Sequence, residues 1–281
     1  MRLPDFIGIG APRCGTTWLS HILNQHSQIY FNPNYKEIHY FDHNYHRGLK
    51  WYARFFSSVA QNIRCGEFTP NYMVQTDSFS RIHQMNPKVK LIIVLRDPVK
   101  RAFSHYMQKK RYKRSMKDFE TTVQSNEFQI LDYGNYGEQL SQLLSIFPQE
   151  QVHTIIFEEM IADSQKTFTE LQKFLEVEKI DLDPNQAPKN QMNTSRFLWL
   201  KILTRGLRGL ARKYYWFRIL FYGVLPGRRI IQMLRTINAK AITIKKEQMS
   251  PEIEQWLVDH YAADKAILEQ IIGRPLSLWS L

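Results

Sequence analysis

Two cysteines, Cys14 and Cys65, are too few to staple a chain of 281 residues with disulfides. No run approaches eighteen uncharged apolar residues, which argues against a spanning helix. Glycine and proline, 12 of each, are too sparse for a collagen-like repeat or a low-complexity scaffold. With 43% hydrophobic residues the chain is also too apolar for a disordered tail. The opening MRLPDFIGIGAPRCG lacks an apolar core ending in small residues, so it does not read as a secretory signal. These absences set the expectation of a reduced, cytoplasmic protein.

Acidic residues are missing from one long stretch. Between Arg196 and Lys246 there are 13 lysines and arginines and no aspartate or glutamate, against a net charge of +12 for the whole chain. The remainder is therefore close to neutral, and the basic character belongs to one segment. A single basic face implies an anionic partner or surface, whereas an even excess would only aid solubility.

Four segments read as strands: 5–11, 63–68, 89–95 and 152–157. Three are short, apolar and β-branched, as buried parallel strands are; 63–68 is the least marked. Helical patterns occupy 18–28, 98–113, 136–147 and 167–175, the second opened by Asp97 as cap and Pro98 at the first turn. This alternation predicts an α/β fold, a doubly wound parallel sheet flanked by helices. Residues 185–196 are polar and loop-like, and a basic, aromatic helical stretch follows. A last helix is capped by Ser250, opened by Pro251 and ended by Gly273. It predicts a buried face of Ile253, Trp256, Leu257, Tyr261, Ile267, Leu268 and Ile271, interrupted by Asp264. The expectation is a single domain over 1–281, with an α/β core in 1–184 and a helical C-terminal extension in 185–281.

The first strand runs through Gly10-Ala11-Pro12-Arg13-Cys14-Gly15-Thr16-Thr17 straight into a helix. Strand, glycine turn and helix N-terminus make an anion site, since free N–H groups and the helix dipole face the bound group. Against GxxxxGK[ST], Gly10, Gly15 and Thr17 match, but Thr16 stands where a nucleoside triphosphatase has lysine. Arg13 places a cation three residues earlier. The loop is thus P-loop-like without being suited to Mg-ATP in the usual way.

Residues 11–19, APRCGTTWL, closely resemble the 5′-phosphosulfate loop of sulfotransferases, PKxGTTWL. Those enzymes use 3′-phosphoadenosine 5′-phosphosulfate (PAPS). The resemblance implies that Pro12, Arg13, Cys14, Gly15, Thr16, Thr17 and Trp18 cradle the donor, with Arg13 standing for the family's lysine. Arginine keeps the charge but replaces a point cation with a planar fork. Arg96-Asp97-Pro98 through Arg101, Ser104 and Tyr106 is similar to the 3′-phosphate motif RDPxxRxxSxY. Arg96 stands at the C-terminal end of a strand, where open α/β sheets bind their ligands, and with Ser104 it can hold a phosphate monoester.

Between these motifs lies Lys36-Glu37-Ile38-His39-Tyr40-Phe41-Asp42. Glu37 and His39 share a face of an extended segment, and a carboxylate or imidazole there can take a proton from an attacking nucleophile. The segment most resembles the heparan sulfate branch, the glucosamine 3-O-sulfotransferases and the N-deacetylase/N-sulfotransferases. That likeness implies Glu37 as base, His39 as its partner and Asp42 in support. Gly66-Glu67-Phe68-Thr69-Pro70-Asn71-Tyr72 resembles the EKTPxY segment with Phe68 in place of lysine, and leaves Glu67, Thr69 and Asn71 as candidates to line the cleft. Tyr133 and Tyr136 resemble the family's GxY segment, or are packing residues. The family closes a loop over the adenosine near the C-terminus, and the resemblance implies that role for residues 189–196, with Lys189, Asn193, Ser195 and Arg196 able to reach phosphate.

The reading is a PAPS-dependent sulfotransferase acting on a hydroxyl or amine of a glycan, a lipid or a small hydroxylated metabolite. No metal is expected, because the sequence shows no clustered His/Cys ligand set. Residues 197–246 read as a solvated helical cap, an interfacial pair on anionic lipid that would make the protein peripheral on a membrane, or an acidic-acceptor channel. Nucleic acid is not expected as a partner. A P-loop kinase-like phosphotransferase and a non-catalytic anion- or membrane-binding module are the competing readings.

Overall fold

The computed structural model describes residues 1–110, 116–186, 193–195, 239–241 and 248–280. The chain falls into two compact units, Met1–Pro188 with Met249–Leu281, and Lys189–Gln248. The first unit is built on five strands: β1 (Phe6–Gly10), β2 (Ile29–Phe31), β3 (Arg64–Phe68), β4 (Lys90–Leu95) and β5 (Val152–Ile156). All pair in parallel in the order β2-β3-β1-β4-β5. The connections include α1 (Thr16–Leu23), α2 (Leu49–Ala53), α3 (Thr76–Met85), α4 (Pro98–Lys110), α5 (Phe119–Gln124) and α6 (Tyr136–Leu144). After β5 come α7 (Phe157–Ala162), α8 (Ser164–Leu175) and α9 (Pro251–Ile272). In the second unit the described residues form one antiparallel pair, β6 (Asn193–Ser195) with β7 (Ala239–Ala241).

Each of the four expected strands is present, and the doubly wound parallel sheet stands. β1 is buried throughout, and β4 is buried after Lys90, as continuous apolar runs require. β3, RCGEF, is weak by composition because it is glycine that lets it pair. In the β1–β3 register Phe6 opposes Gly66 and Gly8 opposes Phe68. A Cβ on Gly66 would lie 2.4 Å from the Phe6 ring, and one on Gly8 only 1.9 Å from the Phe68 ring. Each phenylalanine thus occupies the space its glycine partner leaves. β2, three residues long on the sheet edge, is too short to show a period in sequence.

The last helix is part of the first unit. Ser250 Oγ accepts from the Ile253 N–H, and Gly273 ends the helix at φ 76. Ile253, Leu257, Tyr261 and Leu268 are buried, whereas Trp256 and Ile267 of the expected face are exposed. Asp264 interrupts the stripe for a tertiary reason: its carboxylate accepts from the N–H groups of Gly137 and Glu138, both at 2.9 Å, and so caps α6. Beyond α9 the chain straps onto the start of α4. Ser280 N–H donates to Asp97 Oδ2 at 2.9 Å, and Trp279 Nε1 donates to Glu158 at 3.1 Å.

Candidate functional site

β1 and β4 are neighbours, but the chain leaves them toward opposite edges of the sheet, so their C-terminal ends flank a switch point where open sheets bind ligands. The loop 11–15 leaves β1 there and enters α1. Gly15 caps α1 at φ 86, in the left-handed region, and a Cβ on it would lie 2.8 Å from the Phe157 ring. The first N–H groups of α1 lack intrahelical partners, as at any helix start. Cys14 is fully buried, its N–H turned back to Ala11 O at 3.4 Å and its thiol 3.6 Å from Tyr136 OH. Burial pushes that thiol up to about 11, so it remains protonated and serves as packing. Trp18 stacks at a tilt on Phe168, 5.7 Å between centroids.

Arg13 and the end of β4 form one wall. Arg13 takes φ 73, an uncommon backbone for a side chain, and its Nε donates to Ser104 Oγ at 3.3 Å. Arg96 Nη1 donates to Arg13 O at 3.4 Å, and its guanidinium lies 5.0 Å over the Phe157 ring. Among the described residues, the buried Nε of Arg96 has no hydrogen-bond partner. Asp97 starts α4 by accepting from the Val99 and Lys100 N–H groups. Burial opposes its ionisation, but hydrogen bonds from Ser280 and Lys100 outweigh that and hold its carboxyl below the usual range. Arg13, Arg96 and Ser104 therefore come together, as the two separate motifs require.

The opposite wall is the segment after β2. Lys36 Nζ lies 3.0 Å from Thr17 Oγ1, 3.4 Å from Thr16 Oγ1 and 3.2 Å from Glu37 Oε1. The Glu37 carboxylate also faces His39 Nε2 at 3.5 Å, and His39 Nδ1 lies 2.8 Å from Asp42 Oδ2. Glu37, His39 and Asp42 are thus one chain of contacts beside the loop. The bonds to Asp42 and Glu37 raise His39 to about 10, so the ring is an imidazolium at neutral pH. The His39 hydrogen bond, with help from Lys36, holds Glu37 below its ordinary value.

What fixes this wall was not read from the sequence. Glu67 is buried, and accepts from Thr69 Oγ1 (2.6 Å), Tyr52 OH (2.7 Å), Tyr72 OH (3.0 Å) and the Ile38 N–H (3.1 Å). Thr69 Oγ1 accepts from the Ile38 and His39 N–H groups, and Tyr72 OH accepts from those of Tyr40 and Phe41. Glu67 and Thr69, expected to line the cleft, are instead the buried scaffold of segment 36–41, and burial raises the Glu67 carboxyl. Phe68 replaces the family's lysine because its ring fills the space over Gly8. Tyr133 and Tyr136 are buried packing residues.

Sequence reasoning also missed Lys36. Its signal was the absent lysine at position 16, a vacancy that asks for a cation from elsewhere. The fold further assembles a donor cluster that spacing did not show, with side-chain atoms of His39, Asp42 and His43 within 4.8 Å of one another. Asp42 Oδ1 accepts from the His43 N–H and Oδ2 holds the protonated His39, so the cluster reads as a hydrogen-bonded ion pair. Lys189 and Arg196 lie outside the described residues, as does the basic stretch 197–246 apart from 239–241. Only backbone is described for Asn193 and Ser195.

A parallel sheet with a glycine turn and a helix start at its switch point, beside two arginines and a serine, defines an α/β protein of P-loop-like fold. The family model described as "Sulfotransferase domain" matches residues 3–205, and the chain belongs to that family. It is 30% identical over 190 residues to the mouse (Mus musculus) heparan sulfate glucosamine 3-O-sulfotransferase 3A1, covering 65% of this chain and 48% of the relative. It is 40% identical over 107 residues to the membrane-associated sulfotransferase kil1 of Dictyostelium discoideum, covering 37% of this chain and 22% of the relative. The chain spans about half the length of the mouse relative. The crystal structure of a sulfotransferase from Alicyclobacillus acidocaldarius superposes with a TM-score of 0.70 at 24% identity, covering 100% of both chains, and shares the fold.

Proposed function

We propose that this chain transfers the sulfuryl group of PAPS to a hydroxyl of an acceptor, with Glu37 as general base. The observation that carries the reading is a carboxylate set at the mouth of the phosphate loop: Lys36 Nζ touches Glu37 on one side and the Thr16 and Thr17 hydroxyls on the other. The residues present suit the donor. The Arg96 guanidinium, bonded to the Arg13 carbonyl and with its buried Nε lacking a hydrogen-bond partner among the described residues, suits an anion. Arg13 links it to Ser104, and the start of α1 offers N–H groups to a second anion.

In this reading Arg96 and Ser104 hold the 3′-phosphate, and Thr16, Thr17 and the loop backbone hold the 5′-phosphosulfate. PAPS supplies a sulfuryl group on a good leaving group. Glu37, ionised at neutral pH, takes the acceptor's proton as the acceptor oxygen bonds to sulfur; the electron pair of the broken S–O bond stays with the phosphate. His39, charged and anchored by Asp42, orients the Glu37 carboxylate. By analogy with phosphoryl transfer, positioning and charge stabilisation supply most of the catalysis. Sugar hydroxyls are the first acceptor class to try, because several similar curated proteins carry the name of glucosamine 3-O-sulfotransferases.

The test is calorimetric titration with adenosine 3′,5′-bisphosphate, adenosine 5′-phosphate and Mg-ATP, followed by transfer of labelled sulfate from PAPS across glycan, lipid and small hydroxylated acceptors. Binding of the bisphosphate well above the other two is the expected result. Equal or tighter binding of Mg-ATP would replace sulfuryl with phosphoryl transfer.

A further inference from the structure

The loop has threonine where P-loops carry lysine, and its own cation is engaged elsewhere. Arg13, at φ 73, carries its Nε to Ser104, on the wall where Arg96 stands. The hydroxyls at the start of α1 are met instead by Lys36, which arrives from the segment after β2, twenty residues along the chain. Lys36 is also the group that lies between those hydroxyls and Glu37. A compact ammonium with three rotatable donors suits a site shared by two hydroxyls, a carboxylate and a tetrahedral anion, whereas a planar fork suits a phosphate monoester held from one side.

We propose that the two cations have divided the work the family motif gives to one: Lys36 neutralises the 5′-phosphosulfate and the bridging oxygen that keeps the electron pair as sulfuryl leaves, while Arg13 joins Arg96 and Ser104 on the 3′-phosphate. This rests on the sulfuryl-transfer reading, and it reassigns Arg13 from the role that the motif alone implies. Lys36 then faces Glu37 and the Arg13 charge, and the fixed geometry makes it the cation common to donor and base. Burial lowers the ammonium's affinity for its proton, and Arg13 adds to this, while Glu37 opposes both.

A binding experiment separates the two cations without any acceptor. Calorimetry with adenosine 3′,5′-bisphosphate, 5′-phosphate and 3′-phosphate yields the affinity gained from each phosphate in turn. Lys36→Met should cut the gain from the 5′-phosphate by about tenfold, the scale of one charge-assisted hydrogen bond, and leave the 3′ gain intact. Arg13→Met should do the reverse. Lys36→Arg, which keeps the charge, should restore most of the 5′ gain, and matching thermal melts would show that the variants fold. An unchanged 5′ gain in Lys36→Met, or its loss in Arg13→Met, would overturn the division. A wild-type protein that binds the three nucleotides alike would instead remove the donor reading beneath it.

Discussion

The two walls of the cleft are made differently. In the proposed reading the donor wall consists of two motifs, each following a buried strand. One carries Arg13, Thr16 and Thr17, the other Arg96 and Ser104, and Arg13 joins them through Ser104 Oγ and the Arg96 guanidinium. The base wall is irregular chain, with Lys36, Glu37, His39 and Asp42 on a segment that the buried groups of Glu67, Thr69 and Tyr72 hold by its backbone N–H groups. A strand end positions a ligand through the sheet; the base segment is positioned by a carboxylate and two hydroxyls from elsewhere in the chain. Changes on the donor wall, and at Lys36 where the base segment reaches Thr16 and Thr17, should therefore appear in nucleotide affinity, and changes at Glu37, His39 and Asp42 in turnover.

The largest test of that contrast is Glu37→Gln, which keeps shape and removes the proton acceptor. Turnover should fall by about 10²–10⁴-fold, the usual worth of a general base, with bisphosphate affinity unchanged in calorimetry. Turnover within a few-fold of wild type would take the base role from Glu37. On the other wall Arg96→Ala should weaken the bisphosphate by about 10–100-fold, the value of a charge-assisted hydrogen bond to phosphate. An unchanged dissociation constant would remove the 3′-phosphate assignment.

A subtler effect lies within the base wall. The His39 hydrogen bond is the foremost reason that Glu37 sits below its ordinary value, and Lys36 adds to it. The groups facing His39 are Glu37, Asp42 and the ring of His43 stacked 5.2 Å away. In His39→Asn the imidazolium is gone, so the Glu37 carboxyl rises and protonates at higher pH. The acid limb of the kcat/KM profile should accordingly move to higher pH, while the bisphosphate still binds. A limb that stays in place would show that His39 does not set the proton affinity of the base.

The same contrast explains what was legible in the sequence. β1, β4 and β5 carry apolar runs, and the loop and clamp are local words at strand ends, so the sheet and the donor wall could be read directly. Glu37, His39 and Asp42 were legible as a motif, but their support was not. Glu67 and Thr69 look like cleft residues until the fold shows them buried beneath Ile38. Lys36 belongs with Thr16 and Thr17 only once β2 and β3 have set its segment beside α1, a relation that spacing does not encode. β2 is too short for a period, and β3 is a strand because its glycine fits the Phe6 ring and its phenylalanine fits Gly8.

Asp264 offers the smallest test, and it lies outside both walls. A lone carboxylate in the apolar stripe of α9 looks like a defect, yet it accepts from two N–H groups at the start of α6, the helix that carries Tyr136 against Cys14 of the phosphate loop. Asp264→Ala should lower stability by about 1 kcal/mol, the common cost of losing a helix cap, with a small further loss of charge at the α6 dipole. Because Tyr136 meets the loop through the buried Cys14 and not at its mouth, bisphosphate affinity should be unaffected at a temperature where both proteins are folded. Chemical denaturation beside calorimetry checks both halves: an unchanged midpoint would deny the cap, and weakened nucleotide binding would show that α6 tunes the donor wall from behind.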